Sequence, residues 1–99
     1  MSEPLRREVT VRNPQGLHMR PAAAFAELAS RFPCQVTVYR ADQPVDGKNW
    51  LELLLLAAEE GTTLTLEVAG PEAPAALDAL AEQLAAIPTD DDDAVDPKG

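Results

Sequence analysis

The patterning of this chain predicts an α+β fold of two layers, with a four-stranded, mixed or antiparallel sheet covered on one face by three helices. Three observations lead there. Four short segments alternate apolar with polar residues, which is the period of a strand with one buried face. Three longer segments instead repeat their apolar residues at the three- and four-residue spacing of an amphipathic helix. Turn residues separate these segments into the order β-α-β-β-α-β-α, and because each strand has a single apolar face, the sheet needs cover on one side only. At 99 residues there is room for one domain and no second one to close a cleft.

In the first strand, predicted over Arg6 to Arg12, Leu5, Arg7, Val9 and Val11 alternate with Arg6, Glu8, Thr10 and Arg12. Asn13-Pro14 and Gly16 then punctuate a turn, and Pro21 belongs in the first turn of a helix, where its missing N–H removes no bond. The first helix therefore starts between His18 and Arg20 and carries Ala22, Phe25, Ala26 and Ala29 as its core stripe, widened by Leu28 and Phe32. Pro33 ends it near Arg31. Cys34, Val36 and Val38 alternate with Gln35, Thr37 and Tyr39 in the second strand. A short third strand over Gln43 to Val45 contains Pro44 and is expected at an edge.

Asn49 suits a helix N-cap, with Glu52 three residues on and able to reach back to it, so the second helix is expected from Trp50 to about Glu59, stopping at Gly61. Leu64, Leu66 and Val68 alternate with Thr63, Thr65 and Glu67 in the fourth strand. The third helix presents Leu77, Leu80, Ala81, Leu84 and Ile87, with Pro71 and Pro74 confined to its approach or first turn. Pro88 closes the domain, residues 1–88, and residues 89–99 form an acidic tail without a hydrophobic pattern, expected to be disordered. Thr10, Thr37, Tyr39, Thr63 and Thr65 fall on the uncovered sheet face.

The formal charge of −9 narrows the partners. Residues 88–99 hold five Asp and one Lys, so −5 remains on the rest of the chain, and nucleic acid, which needs clustered cations, is not an expected ligand. Cys34 is the only cysteine and His18 the only histidine, which gives no disulfide and no metal-ligand spacing; Cys34 reads as a small apolar core residue. No stretch approaches the roughly 20 apolar residues that span a bilayer, and no signal-peptide pattern opens the chain. A cytoplasmic protein without direct membrane insertion is the expectation.

Chemistry concentrates in residues 13–23, Asn-Pro-Gln-Gly-Leu-His-Met-Arg-Pro-Ala-Ala. This segment places the imidazole of His18 and the guanidinium of Arg20 at a helix N-terminus, where the N–H groups of Met19 and Arg20 lack intrahelical acceptors. Such an end favours phosphate. A neutral imidazole has a lone pair able to attack phosphorus, and the transferred charge would lie beside those N–H groups and Arg20. The dipole contributes only about 0.3 to 1 kcal/mol, too little to create reactivity, so its larger service is to hold the phosphate. On the residues alone, His18 is either reactive, structural or merely exposed, and Arg20 is either a phosphate ligand, a solvated side chain or a partner of a nearby carboxylate such as Glu27.

In register, turn, nucleophile, arginine and proline, Asn13 to Ala23 closely resembles the phosphorylation-site signature of HPr, the histidine-containing phosphocarrier family of the phosphoenolpyruvate-dependent sugar phosphotransferase system. The resemblance runs from Arg6 to about Ile87 and includes Gly47-Lys48 and the Gly61 turn. It implies an open-faced β-sandwich with sheet order 1-4-2-3, in which His18 would accept a phosphoryl group at Nδ1 from phosphorylated Enzyme I and pass it to an EIIA-type domain or another acceptor. Arg20 would stabilise the phosphate. The resemblance further implies a monomeric carrier working through a phosphohistidine rather than a stand-alone catalyst, with no bound cofactor or metal. The alternative in the same family is a regulator, whose phospho-His18 or bare form controls a partner enzyme or transcription factor.

Partner docking in that family maps here to Met19, Ala23, Trp50, Leu51 and Leu54. Helix 2 is apolar nearly all round, Trp50-Leu51-Glu52-Leu53-Leu54-Leu55-Leu56, more than a helix packed on one side requires. Leu53 and Leu56 are expected to face the core, whereas Trp50 and Leu51 are expected to dock. This chain also departs from the pattern. Asn49 stands where many relatives have a serine phosphorylated by a dedicated kinase, and it has no hydroxyl to modify. Met19 replaces a small residue, and Glu27, Ser30 and Glu52 stand where relatives often place lysines or neutral residues, which makes the docking face more acidic.

Overall fold

In a computed structural model that describes residues 3–85, the chain folds as β1 (Leu5–Thr10), α1 (Met19–Ser30), β2 (Gln35–Arg40), β3 (Gln43–Asp46), α2 (Trp50–Leu55), β4 (Thr63–Ala69) and α3 (Ala73–Ala85). The expected closing Pro88, Ile87 and the acidic tail over 89–99 lie outside the described residues. The strands form one sheet in the order β1-β4-β2-β3, antiparallel at every pairing. The order expected from the resemblance is therefore the order observed.

Register explains why one face is apolar. Val9 lies opposite Leu64, Leu66 opposite Val38, Val68 opposite Val36, and Val38 in turn opposite Val45, so the buried residues of the four strands share one side. Against them pack Ala22, Phe25, Ala26 and Ala29 of α1, Leu53 of α2, and Leu77, Leu80, Ala81 and Leu84 of α3. Cys34 is buried in this core.

Arg7 occupies an inward register position opposite Leu66 without entering the core. Its Nη2 donates to Asp78 Oδ1 at 2.7 Å, tying β1 to α3 at the sheet edge.

The opposite face joins Arg6, Glu67 and Tyr39: Arg6 Nη2 and Nε donate to Glu67 Oε2 at 3.2 and 3.3 Å, and Tyr39 Oη donates to Oε1 at 2.6 Å. That short bond holds the Glu67 carboxyl below its ordinary 4.5, with Arg6 adding to the effect against desolvation. The same bond, available only to the neutral phenol, raises Tyr39 above 10.0.

Three features differ from expectation by more than a residue's shift in an element's end. β1 ends at Thr10 rather than Arg12. Val11 remains buried and tied to the turn before β4, its N–H donating to Thr62 O and its carbonyl accepting from Gly61 N, both at 2.9 Å.

The second difference is that α2 stops at Leu55, four residues short of Glu59. The left-handed residue that ends it is Ala57, at φ +53, rather than Gly61. Gly61 instead serves a separate turn in which Thr62 N donates to Glu59 O and Glu59 N donates to Thr62 Oγ1.

Third, Asn49 caps α2 as expected, its Oδ1 accepting from Leu51 N and Glu52 N at 3.0 and 3.2 Å. Glu52, however, does not reach back to the cap. Its Oε1 accepts from Asp46 N at 2.9 Å, because Asn49 N already donates to Asp46 O.

Candidate functional site

β1 and β2 both run antiparallel to β4, so their C-terminal ends lie at the same end of the sheet as the start of β4. The connection from β1 to α1 crosses that end. Asn13 organises it: Gln15 N donates to Asn13 Oδ1 at 3.0 Å and Gly16 N to Asn13 O at 2.8 Å. Gly16 then turns through φ +74, with its backbone set so closely on Ala58 that a Cβ would meet Ala58 O at 2.5 Å. Leu17 is buried, and its N–H donates to Ala58 O at 2.8 Å, which docks the loop on the segment after α2.

His18 follows as the N-cap of α1, half-exposed, in an extended conformation at φ −95 and ψ −171. Its ring makes no capping hydrogen bond, so a cap that Ser or Asp would occupy by bonding its own side chain back to the helix here leaves an imidazole uncommitted. Helical bonding begins with Ala22 N to His18 O at 2.9 Å. The N–H groups of Met19 and Arg20 consequently have no intrahelical acceptor, and Pro21 has none to offer. The expected grouping of His18, two free N–H donors and Arg20 at one helix end is present.

Arg20 is exposed, and its expected alternative partner is taken: Glu27 pairs with Arg31 at 3.6 Å, one helical turn on. The other cations are largely committed. Arg6 and Arg7 pair with carboxylates, Arg40 donates to the carbonyls of Leu56 and Ala57, and Lys48 Nζ donates to Phe32 O at 2.8 Å beyond the end of α1. Among the described residues, Arg12 and Arg20 make no side-chain hydrogen bond or ion pair, and both border the His18 loop.

Of the expected docking residues, Met19 is 61% exposed, Trp50 43% and Leu51 55%, and Ala23 is exposed one turn beyond Met19. Leu54 is half-buried and packs against the core, whereas Leu55, not singled out by the sequence reading, is 67% exposed. The i, i+4 spacing of Leu51 and Leu55 was the available signal, since it places both on one side of α2. Leu53 and Leu56 are buried as expected.

The chain matches the model described as the PTS HPr component phosphorylation site over residues 5–86. It belongs to the HPr family. Among curated members, the phosphocarrier protein HPr of Pseudomonas putida is 49% identical over 77 residues, covering 77% of this chain and 86% of that protein. The crystal structure of an HPr from Bacillus anthracis str. Ames superposes with a TM-score of 0.80 at 30% identity, covering 84% of this chain and 99% of that one. Crh, the catabolite repression HPr of Bacillus subtilis, is 35% identical with a TM-score of 0.62, covering 81% and 95%. HPr proteins are the phosphocarriers of the phosphotransferase system, so a phosphoryl-carrying role is what membership gives this chain. None of the described helices is long and apolar enough to cross a membrane.

Proposed function

We propose that His18 is the phosphoryl acceptor of a cytoplasmic carrier that is charged by phosphorylated Enzyme I and discharged to an EIIA-type domain. The Nδ1 lone pair attacks phosphorus, the bond from phosphorus to the donor breaks, and its electron pair returns to the donor. Reversal of the same step onto an acceptor regenerates the imidazole. The observation that carries this reading is the N-cap imidazole left without a capping bond, beside the unpaired N–H groups of Met19 and Arg20. The carried phosphate accepts from those donors, and Arg20 adds charge-assisted bonds without having to leave another partner.

A helix end this open supplies no wall against water and no general acid, so the reaction takes place in a partner's site. Met19, Ala23, Trp50 and Leu51, with Leu55 in addition, form the apolar contact for that partner on α1 and α2. Trp50 is its anchor. Asn49 keeps α2 capped and offers no hydroxyl, so control by serine phosphorylation at this position does not operate here.

Incubation with phosphoenolpyruvate and Enzyme I is expected to add one acid-labile phosphate to the protein and none to His18→Ala; equal labelling of the two refutes the reading. A second reading, control of a partner protein without sugar transport, is favoured by the likeness to Crh, named for catabolite repression. Partner capture that is the same for wild type and His18→Ala would support that regulatory role.

A further inference from the structure

We infer that Arg40 is a positioning residue for His18, acting through the turn that follows α2; the inference rests on the reading of His18 as phosphoryl acceptor. Val36, Val38 and Arg40 alternate onto the helix-facing side of β2. Arg40, at the end of the strand, therefore emerges beneath the C-terminus of α2, where carbonyls lack intrahelical donors. Its Nη1 donates to Leu56 O at 2.7 Å and to Ala57 O at 3.1 Å.

These two carbonyls belong to a turn that closes with its own bonds, Leu56 N to Leu53 O at 3.2 Å and Ala57 N to Leu54 O at 3.0 Å, but that is strained at its last residue. Ala57 sits at φ +53, a left-handed conformation disfavoured for any residue with a Cβ, and no glycine relieves it. The next residue, Ala58, is buried, and its carbonyl is the acceptor for Leu17 N at 2.8 Å. The chain of contacts thus runs from the Arg40 guanidinium to the carbonyls of Leu56 and Ala57, on to Ala58 O, and from there through Leu17 N to the residue before the nucleophile. Ala58 also fixes Gly16 by close approach, so a shift of the Ala57–Ala58 turn moves both residues that precede His18. The imidazole has no capping bond of its own to resist such a shift. Its place over the helix end is set by the loop, and the loop is held by Asn13 on one side and by this turn on the other.

The test compares Arg40→Met, which keeps an unbranched apolar stem and loses both bonds, with Arg40→Lys, whose ammonium can donate to the same carbonyls. Arg7→Met serves as the control, since it breaks the bond to Asp78 at the α3 side of the sheet. Two quantities are read on the full chain: the second-order rate of phosphoryl transfer from phosphorylated Enzyme I, and hydrogen exchange at the Leu17 amide by NMR. Arg40→Met is expected to slow transfer about tenfold, in keeping with the cost of sub-ångström to ångström misplacement of a reacting group, and to accelerate Leu17 exchange. Arg40→Lys is expected to recover most of both, and Arg7→Met to change neither.

An unchanged transfer rate in Arg40→Met overturns the inference, as does equal slowing in Arg7→Met. Slowed transfer with unaltered Leu17 exchange also overturns it, because Arg40 would then act by a route other than the turn. If the wild-type protein takes no phosphate, the reading of His18 fails, while Leu17 exchange still decides whether Arg40 holds the loop.

Discussion

Substituting Gly16 by alanine separates two costs that the structure allows to be worked out independently. Gly16 and Gly61 both have positive φ, +74 and +90, and alanine at either position pays the left-handed penalty of about 1 to 2 kcal/mol. At Gly61 that is all, since nothing lies within 4 Å of the added Cβ. At Gly16 the Cβ would stand 2.5 Å from Ala58 O and 2.9 Å from Glu59 Cα, both backbone atoms that cannot rotate away. The loop must lift, and the Leu17 N to Ala58 O bond goes with it, a further loss of about 0.5 to 1.5 kcal/mol. The sum is about 1.5 to 3.5 kcal/mol for Gly16→Ala, against about 1 to 2 for Gly61→Ala.

At about 4 to 8 °C per kcal/mol for a domain of this size, the two variants should melt at clearly different temperatures. Trp50 is the only tryptophan and sits half out of the protein, so urea titrations followed by its fluorescence give the free energies directly. Phosphoryl acceptance should fall in Gly16→Ala well below that of Gly61→Ala under conditions where both are folded. Equal destabilisation by the two substitutions, or a larger loss at Gly61, refutes the claim that close approach to Ala58 is what requires glycine at position 16.

Asn49→Ala removes the acceptor for Leu51 N and Glu52 N and is expected to cost about 1 kcal/mol, with Asn49→Ser close to wild type, as measured by the same urea titrations. Tyr39 is the only tyrosine, so tyrosinate absorbance near the red edge of the spectrum should titrate above 10.0 in the wild type and at lower pH in Glu67→Gln. The signs for stability follow from the same pair: the raised Tyr39 contributes below its unfolded value and loses that contribution as pH rises through its folded one. The lowered Glu67 contributes above 4.5 and loses it as pH falls through its folded value, so Tyr39→Phe should flatten the pH dependence of stability at both ends.

The seven elements were legible because each follows from neighbours in the chain. Alternation in 34–39 and 63–68 marks strands with one buried face, and Pro21, Pro33 and Pro71 punctuate the helices at positions only a turn away from the residues they affect. The grouping of His18, Met19, Arg20 and Pro21 was legible for the same reason, since a helix N-terminus is built from consecutive residues. The sheet order was a different matter. Periodicity could not choose between a mixed and an antiparallel sheet, and β1-β4-β2-β3 came from the family resemblance.

Local pattern by itself settles the order and type of the seven elements, though not where β1 and α2 end, and it settles that one helix end carries an imidazole, an arginine and free N–H groups. Only the tertiary structure decides where long side chains spend their hydrogen bonds. Arg40 reaches the end of α2, 16 residues away in sequence, and Glu52 turns from the cap to Asp46 N because Asn49 N is already bound. The exposure of Leu55 in place of Leu54 is an intermediate case: the i, i+4 spacing from Leu51 allowed it, and the packing of Leu54 against the core decided it. Backbone propensity acts over a few residues, but a buried carbonyl can be satisfied by any donor that the fold brings to it, and that is why the support beneath His18 became visible only once the chain was folded.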